Sequence, residues 1–260
     1  MGTWIDFSRR NDPACPAGVV LFKEMLAKTA KLPDVICFWT KNPGRVAALY
    51  GEVVTELRAK GVTFLAQVTM NPYYDLLEPG APRAGDDVQA VYSLNLLSDL
   101  LGGPNHIRLR FDPIIKGFTT LRMFSQHCFI ARLARINHTA VNFLVPEYKD
   151  VGQALIRLGI PAEGFSNQDK EDVLDKLYQY AQGFGIDLAV CAESSRFATA
   201  GILRARCADP DWVRAVGVQA SFTTRPSRPG CGCCYSADWG EYRSKGGYVC
   251  PHQCVYCYAK

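Results

Sequence analysis

Short apolar runs rich in β-branched and aromatic residues alternate along the chain with segments of helical periodicity. This alternation is typical of repeated βα units that build a parallel sheet. The apolar runs predict strands near residues 3–9, 35–41, 62–70, 106–112, 139–145, 186–192 and 213–219. The amphipathic segments predict helices near residues 17–30, 46–57, 86–101, 119–135, 173–181 and 195–206. Repeated units of this length favour an α/β fold with a complete or partial (β/α) barrel of the TIM type over an open doubly wound sheet.

The chain lacks the common phosphate-binding loops of α/β proteins, because neither a Gly-x-Gly-x-x-Gly nor a Walker sequence follows a predicted strand. A segment rich in proline and turn-forming residues occupies positions 223–230, after the last predicted strand. We therefore expect a barrel domain over residues 1–222 and a cysteine-rich tail over residues 223–260.

Polar residues occupy one face of several predicted strands. In the fourth strand, Arg108, Arg110 and Asp112 alternate with apolar side chains. Because successive side chains of a strand point to opposite faces and the helices cover the apolar face, the charged residues are expected to face the barrel interior. The same argument places further side chains inside, namely Ser8, Arg10, Thr40, Gln67, Thr69, Asn71, Asn142, Cys191 and Glu193.

Four charged residues follow the carboxyl ends of their strands, the edge of a barrel that carries chemistry. They are Arg10, Lys41, Asp112 and Glu193. Buried charges need partners, so a structural ion network and a polar chamber that holds a substrate remain alternative interpretations. In the second interpretation the candidate catalytic residues are Arg110, Asp112, Glu193 and Lys41.

The chain has eleven cysteines, of which five are scattered through apolar segments and six crowd into residues 231–257. This distribution indicates a reducing compartment and a metal site rather than a disulfide framework. The net charge of +4 arises within residues 204–260, which hold eight Lys or Arg against four Asp or Glu. Such a tail is able to attract a phosphate-bearing partner, but it contains no run of basic residues, so a solvated basic surface is the simpler interpretation.

Cys250, Cys254 and Cys257 have the Cys-x-x-x-Cys-x-x-Cys spacing of a radical S-adenosylmethionine cluster loop, with Tyr256 directly before the third cysteine. Three thiolates hold three irons of a 4Fe-4S cluster and leave the fourth iron open for a ligand. The spacing therefore predicts an iron-sulfur cluster near the end of this sequence.

Zinc is the main alternative metal. The pairs Cys231 with Cys234 and Cys254 with Cys257 match the spacing of a four-cysteine zinc ribbon. That arrangement leaves two of the six clustered cysteines without a role. In the iron-sulfur interpretation, Cys231 and Cys233 cap the cluster loop, bind a second metal ion or act as a redox pair.

Six motifs occur together in the chain, namely Ser-Arg-Arg-Asn-Asp at 8–12, Phe-Trp-Thr-Lys-Asn-Pro at 38–43, Leu-Glu-Pro-Gly at 77–80, Arg-Phe-Asp-Pro-Ile at 110–114, Cys-Ala-Glu at 191–193 and the tail at 231–259. In combination they resemble the family called domain of unknown function 1848. Parts of the same motifs are also similar to the spore-photoproduct-lyase branch of radical S-adenosylmethionine proteins. In that branch the cysteine loop follows the first strand, so the resemblance implies a permuted arrangement with the tail folded over the barrel mouth near residues 8–12.

The resemblance implies a radical enzyme in which the three loop cysteines hold a 4Fe-4S cluster that binds S-adenosylmethionine and takes its electron from an external donor. It also implies that Tyr256 packs near the adenine and that Thr40 and Lys41 meet the cofactor, with Arg10 and Asn142 as further candidate contacts. The substrate, a small molecule or a nucleic acid, is left open. The alternative is a non-catalytic, zinc-stapled barrel that binds nucleic acid or a protein partner.

The first residues show no apolar segment behind a basic start, and no run reaches the roughly 18 apolar residues of a membrane span. We therefore expect a cytoplasmic protein without membrane contact.

Overall fold

The computed structural model describes residues 1–9, 11–82, 86–148, 150–191, 193–198, 201–225, 231–240 and 248–257. Eight strands in these segments form one parallel sheet. They are β1 (Trp4–Phe7), β2 (Val35–Thr40), β3 (Thr63–Thr69), β4 (Ile107–Ile114), β5 (His138–Phe143), β6 (Asp187–Val190), β7 (Leu203–Arg204) and β8 (Ala237–Asp238). The α-helices are α1 (Pro16–Ala27), α2 (Pro43–Ala59), α3 (Tyr74–Leu77), α4 (Asp87–Leu101), α5 (Leu121–Leu133), α6 (Val151–Ile156), α7 (Asn167–Gly183) and α8 (Pro210–Ala215). Among these helices none combines the length and apolarity that crossing a bilayer requires.

The first six predicted strands and the first four predicted helices are confirmed within a few residues, and the helix predicted at 173–181 is part of the longer α7. Two later predictions are wrong. The helix expected at 195–206 is a short 3-10 turn followed by β7, and the strand expected at 213–219 overlaps α8. Helix α8 begins at Pro210 because the Asp209 side chain caps it by accepting from the Asp211 backbone N–H at 3.0 Å. Its apolar pair Trp212 and Val213 is buried on one helical face instead of extending into a strand.

The strand order is β7-β6-β5-β4-β3-β2-β1-β8, so β1 to β7 each lie beside their neighbours in sequence and β8 adds next to β1. The sheet is not closed into a barrel, since β7 and β8 do not pair within the described chain. Both end strands are only two residues long, too short to form a closing ladder. One backbone hydrogen bond joins the segments beside them, from Cys234 N–H to the Ala208 carbonyl at 2.9 Å. The expectation of a complete barrel is therefore corrected, and the fold is a mixed α/β fold with an eight-stranded parallel sheet.

One face of the sheet packs against the helices through fully buried aromatic side chains. Phe7 and Phe38 lie 6.0 Å apart between ring centroids, and both contact Phe22 of α1 and Tyr50 of α2. Most of these pairs are edge-to-face or tilted, an arrangement worth about 0.5–1.5 kcal/mol each beyond burial of area. This cluster fixes α1 and α2 on the sheet and so fixes the segments that join them to β1 and β2.

The opposite face is apolar near the strand starts and polar further along. Trp4, Val35 and Leu65 pack against Trp212 and Val213 of α8 in one apolar cluster. Further along, the ladders align Trp39 with Gln67 and Gln67 with Arg108, and then Thr69 with Arg110. The predicted inward direction is confirmed for Gln67 and Arg108, which bind the Cys207 carbonyl at 3.1 Å and the Asp209 carboxylate at 2.9 Å.

Thr40 is an exception, because it does not share this polar face. Trp39 lies in the cluster with Val35 and Cys37, and its ring nitrogen donates to Asp6 at 2.9 Å. Thr40 therefore lies on the face of Ile36 and Phe38, toward the helices. The prediction that Thr40 faces the interior is wrong because Trp39, not Thr40, occupies the inward position of β2.

The tail contributes to the same sheet as the first strand. Ile5 pairs with Ala237 and Asp6 with Asp238, and the Trp239 N–H donates to the Asp6 carbonyl at 2.8 Å. Residues on both sides of position 223 thus take part in one sheet.

Candidate functional site

Lys41 is placed by the junction between β2 and α2. The strand ends at Thr40, and α2 begins at Pro43 with Asn42 as its cap, the Asn42 side chain accepting from Arg45 N–H at 3.1 Å. Proline at the first helical position and asparagine at the cap both favour a helix start at this point. The sequence Lys-Asn-Pro therefore holds Lys41 at the carboxyl end of β2.

Glu78 lies at the centre of a buried group of polar side chains. One of its oxygens accepts from Lys41 Nζ at 2.9 Å, from Asn71 Nδ2 at 2.8 Å and from the Tyr256 hydroxyl. Lys41 Nζ also lies 3.0 Å from the Tyr256 hydroxyl oxygen. Burial acts to lower the pKa of Lys41, but the negative charge of Glu78 and its hydrogen bond to the ammonium outweigh burial and raise that pKa. Lys41 is therefore a charged, paired ammonium group.

Asn71 joins this group to the end of β4. Its amide nitrogen donates to the Asp112 carbonyl at 2.7 Å, and its amide oxygen accepts from the Asp112 N–H at 3.0 Å. The Asp112 carboxylate binds Arg110 Nη2 at 2.6 Å. We call Lys41, Asn71, Glu78, Tyr256 and the Arg110–Asp112 pair the rim site, since they gather at the carboxyl ends of β2, β3 and β4.

Asp12 and His252 form a second buried ion pair beside the rim site. Asp12 accepts from the Thr40 hydroxyl at 2.9 Å and from the Lys41 N–H at 2.5 Å, and one of its oxygens lies 2.8 Å from His252 Nε2. The His252 contact has the geometry of an ion pair rather than of an aligned hydrogen bond. Burial opposes both charges, but their mutual attraction prevails and lowers the pKa of Asp12 while it raises that of His252.

The cysteine loop, residues 250–257, packs against the segment that follows β3. Val255 N–H donates to the Leu77 carbonyl at 2.9 Å, and Gly80 N–H donates to the His252 carbonyl at 3.1 Å. His252 Nδ1 in turn binds the Gly80 carbonyl at 2.8 Å. A β-carbon at Gly80 would lie 2.1 Å from the Pro251 carbonyl oxygen, so this approach requires glycine. The Leu-Glu-Pro-Gly motif thus supplies both the Glu78 carboxylate and the surface that the cysteine loop contacts.

Of the three loop thiols, Cys254 is buried and Cys250 and Cys257 are half-buried. The Cys257 N–H donates to the Cys254 carbonyl at 3.1 Å, which makes a tight turn between them. Burial raises the pKa of Cys254 to about 12, although the nearby Lys41 ammonium acts to lower it, and burial also raises that of Cys250. Both thiols are therefore protonated at neutral pH.

Within the described chain, no three His, Cys, Asp or Glu side chains are gathered in a way that could hold a metal ion. The donor chemistry of the cysteine loop nonetheless suits an iron-sulfur cluster, because three thiols lie within eight residues and both Cys250 and Cys257 act to raise the pKa of Cys254. Bound iron would have to draw the three sulfurs together.

Two predicted residues do not join the rim site. Both Glu193 oxygens bind Lys170 Nζ of α7, at 2.8 and 2.9 Å, and Lys170 lies over the Phe143 ring. Asn142 lies on β5, on the same strand face as Ala140. Arg10, a predicted cofactor contact, lies outside the described residues. The Thr40 hydroxyl is engaged on both sides, since it donates to Asp12 and accepts from the Asn42 N–H.

Sequence reasoning missed three residues of this region as functional candidates. Glu78 and Asp12 lie in motifs that carried the family resemblance, and Asn71 was assigned only to an inward face. For Glu78 and Asp12 the sequence did contain a signal, because each carboxylate directly precedes a proline in a segment that follows a strand. A turn at such a position places the carboxylate over the edge of the sheet.

The cysteines of the tail separate into two sets of contacts. Cys254 lies near enough to Lys41 and Glu78 for their charges to affect its pKa. The Cys231 and Cys233 sulfurs instead lie 2.8 Å apart, and the Cys233 sulfur accepts from the Cys207 N–H at 3.1 Å. Cys234 instead donates through its backbone to Ala208. The two cysteine pairs of the zinc-ribbon alternative, Cys231 with Cys234 and Cys254 with Cys257, thus have different neighbours.

Fold and site define an α/β protein whose charged, paired side chains gather at the carboxyl edge of a parallel sheet and carry a cysteine loop. The chain belongs to the family described as Domain of unknown function (DUF1848), whose model matches residues 21–259. No curated protein sequence matches it.

Among solved structures, one of the pneumococcal virulence factor StrH, described as giving insights into N-glycan recognition and hydrolysis, aligns with a TM-score of 0.29 and 10% identity. The alignment covers 85% of this chain and 64% of that one. The chain thus spans less than two thirds of the length of that structure.

Proposed function

We propose that this chain is an iron-sulfur enzyme of the radical S-adenosylmethionine type, with Cys250, Cys254 and Cys257 as cluster ligands at the rim site. The observation that carries the proposal is the attachment of the cysteine loop to the sheet edge, through His252 with Asp12 and through Tyr256 with Glu78. A cluster with one open iron, held there by the three cysteines, would supply the electron for cleavage of S-adenosylmethionine into methionine and a 5′-deoxyadenosyl radical for hydrogen abstraction.

The chain's own residues would position the cofactor and balance its charge. The Lys41 ammonium lies close enough to Cys254 to affect its ionisation, so it would offset the negative charge of the thiolates. The Tyr256 ring is held edge-to-face against Tyr73 at 6.3 Å, and its hydroxyl is fixed by Glu78. A rigid aromatic side chain beside the loop suits an adenine ring, which is the role that the family resemblance implies for it.

The Arg110–Asp112 pair is the part of the rim site best suited to meet a substrate. The Arg110 side chain is 5% exposed and that of Asp112 is 23% exposed. The carboxylate is therefore the accessible partner, held in orientation by a buried guanidinium, while the Asn71 amide fixes the Asp112 backbone. Such a carboxylate would orient a polar or cationic group of the substrate.

The sheet would also curl as in a barrel, which would shelter the reaction from water. Gln67 on β3 reaches the carbonyl of Cys207, beyond β7, and Arg110 on β4 lies 3.9 Å from the Cys207 sulfur. These contacts between distant strands favour a curved sheet around the polar face. The proposed chemistry further requires an external electron donor and a reducing compartment such as the cytoplasm.

Anaerobic reconstitution of the full chain with iron and sulfide tests the proposal. We expect a cluster absorbance and about four irons per chain, with 5′-deoxyadenosine formed when S-adenosylmethionine and a reductant are added. Cys254→Ser should abolish both signals. Cys128→Ser, which alters a buried cysteine of α5, should retain them.

Two outcomes would contradict the proposal. A cluster that forms without cleavage of S-adenosylmethionine would leave an electron carrier instead of an enzyme. One tightly held zinc without iron in anaerobically purified protein would favour the zinc-stapled binding protein.

A further inference from the structure

Four cysteines outside the cysteine loop form a continuous series of contacts at the ends of β6 and β7. The Cys231 and Cys233 sulfurs lie 2.8 Å apart, and Cys207 contacts Cys233 through its backbone N–H at 3.1 Å and through its thiol. The Cys207 and Cys191 sulfurs lie 3.8 Å apart. The series runs from half-buried Cys231 to buried Cys191, so its two ends differ in access to solvent.

The arrangement suits thiol exchange better than metal binding. Each sulfur contacts the next along the series, and no three donors in the described segments share a position that could hold a metal ion. In thiol–disulfide exchange a thiolate attacks the adjacent sulfur of a disulfide, so a linear series of neighbouring sulfurs provides successive attack positions.

The inner thiols are protected from direct oxidation. The hydrogen bond to Cys207, together with burial, raises the pKa of Cys191 well above its usual value, and the pKa of Cys207 is raised as well. A protonated, buried thiol reacts slowly with oxidants. Arg110 Nη1, 3.9 Å from the Cys207 sulfur, supplies a positive charge that stabilises a thiolate when exchange forms one.

We propose that Cys231, Cys233, Cys207 and Cys191 form a thiol–disulfide exchange site, which takes oxidising equivalents from a small-molecule disulfide at Cys231 and stores them as a Cys191–Cys207 disulfide. A disulfide between Cys231 and Cys233 closes a ring with only one residue between its cysteines, so it is strained and readily attacked. In the pair at the ends of β6 and β7, Cys191 is buried and Cys207 is half-buried, so their disulfide is less open to attack than the strained one, and this difference drives the transfer inward.

Each transfer conserves electrons. Cys231 attacks the external disulfide and releases one of its halves as a thiol, and Cys233 then attacks Cys231 and releases the other. Cys207 next attacks the Cys233 sulfur, with Cys231 leaving as a thiol. Cys191 finally attacks the Cys207 sulfur, with Cys233 leaving. In sum, two protein thiols are oxidised to one disulfide and the external disulfide is reduced to two thiols, which carry away the two protons.

The full chain, reduced and then treated with oxidised glutathione without oxygen, provides the test. After alkylation, peptide mapping should find a Cys191–Cys207 disulfide as the end product. Cys231→Ser should slow its formation at least about tenfold because the entry thiol is lost. Cys233→Ser should trap a glutathione adduct on Cys231. Cys15→Ser changes another half-buried cysteine, at the start of α1, and should leave the rate unchanged.

Three results would overturn the exchange site. They are free Cys191 and Cys207 beside an oxidised Cys231–Cys233 pair, an unchanged rate in the Cys231→Ser variant, and zinc that blocks all four thiols until it is chelated. Oxidation confined to Cys250, Cys254 and Cys257 would also overturn it without bearing on the proposed cluster, since mapping separates the two sets.

Discussion

The buried Glu78 carboxylate is the common acceptor for the donor groups of the rim site and the counterion of Lys41. Its side chain is 4% exposed, and the neighbouring Lys41 ammonium is 15% exposed. Glu78→Gln removes the negative charge and leaves a largely buried cation without its counterion, which typically costs about 3–5 kcal/mol. We therefore expect the free energy of unfolding in urea at neutral pH to fall by an amount of this order.

Glu56→Gln is the matched control, because Glu56 pairs with Lys60 on the exposed surface of α2. Solvent screens such a pair, so the urea midpoint should hardly change. Equal losses in the two variants would contradict the central role of Glu78.

His127 makes the fold sensitive to acid. It is buried, with Nδ1 2.9 Å from the Met70 carbonyl and Nε2 2.7 Å from the Thr139 hydroxyl. A carbonyl only accepts, so Nδ1 carries the proton and Nε2 accepts from Thr139. Burial lowers the pKa of His127 to about 4, from 6.5. Below pH 6.5 the unfolded chain gains a proton that the folded chain does not, so stability falls by up to about 3 kcal/mol on acidification toward pH 4.

Urea unfolding at pH 7.5 and pH 4.5 checks this expectation in the wild type and in His127→Gln. The variant should be less stable at pH 7.5, because it loses packing, but it should lose less on acidification. His138, whose pKa burial also lowers, to about 3, is unchanged in the variant and accounts for part of the remaining slope. An equal loss in both proteins would show that His127 does not titrate on unfolding.

At the level of whole elements, the contact between the cysteine loop and the segment after β3 depends on Gly80. Gly80→Ala would place a methyl group against the Pro251 carbonyl and force the two segments apart. Overpacking of this kind costs about 1–3 kcal/mol. Hydrogen exchange of the Val255 amide, which binds the Leu77 carbonyl, should therefore accelerate about tenfold or more.

Gly51→Ala serves as the control, since a β-carbon at Gly51 in α2 meets nothing within 4 Å. Alanine favours a helix, so this variant should be as stable as the wild type or slightly more stable. If Gly80→Ala leaves Val255 protected, the loop does not rest on that contact.

Helices and strands with a strong hydrophobic periodicity were predictable from the sequence, whereas short strands that exist only because a neighbouring strand pairs with them were not. Helices α2 and α7 carry apolar stripes that place them without further information. Strands β7 and β8 have two residues each, too few for a pattern, and exist because β6 and β1 pair with them. Helix α8 was missed because Trp212 and Val213 were taken for part of a strand, although Asp209 and Pro210 before them are a cap and a first helical residue.

For the whole molecule, sequence reasoning placed the strand-end residues but not their partners. Lys41, Asp112 and Tyr256 were predicted separately, and the structure joins them through Glu78 and Asn71. These hydrogen bonds link residues up to 185 positions apart in the sequence, which no local pattern encodes. Glu193 follows β6 as predicted, but its partner Lys170 lies on α7, which the sequence pattern did not indicate.

The attachment of the tail to the first strand allows a last prediction about cooperativity. The Trp239 amide is held by the Asp6 carbonyl at 2.8 Å, in line with the pairing of β1 and β8. If residues 1–222 and the tail were separate units, this amide would exchange through local opening of the tail and would show little response to urea. Because the two share one sheet, we expect its opening free energy to fall with urea in parallel with that of the amides of β1.

Native-state hydrogen exchange measures the opening free energies of Trp239 and of the β1 amides, with the irregular segment at 161–165 as a fast-exchanging reference. A low opening free energy at Trp239 that does not change with urea would mean that the tail unfolds alone, and the rim site would then lose its cysteine loop without loss of the sheet.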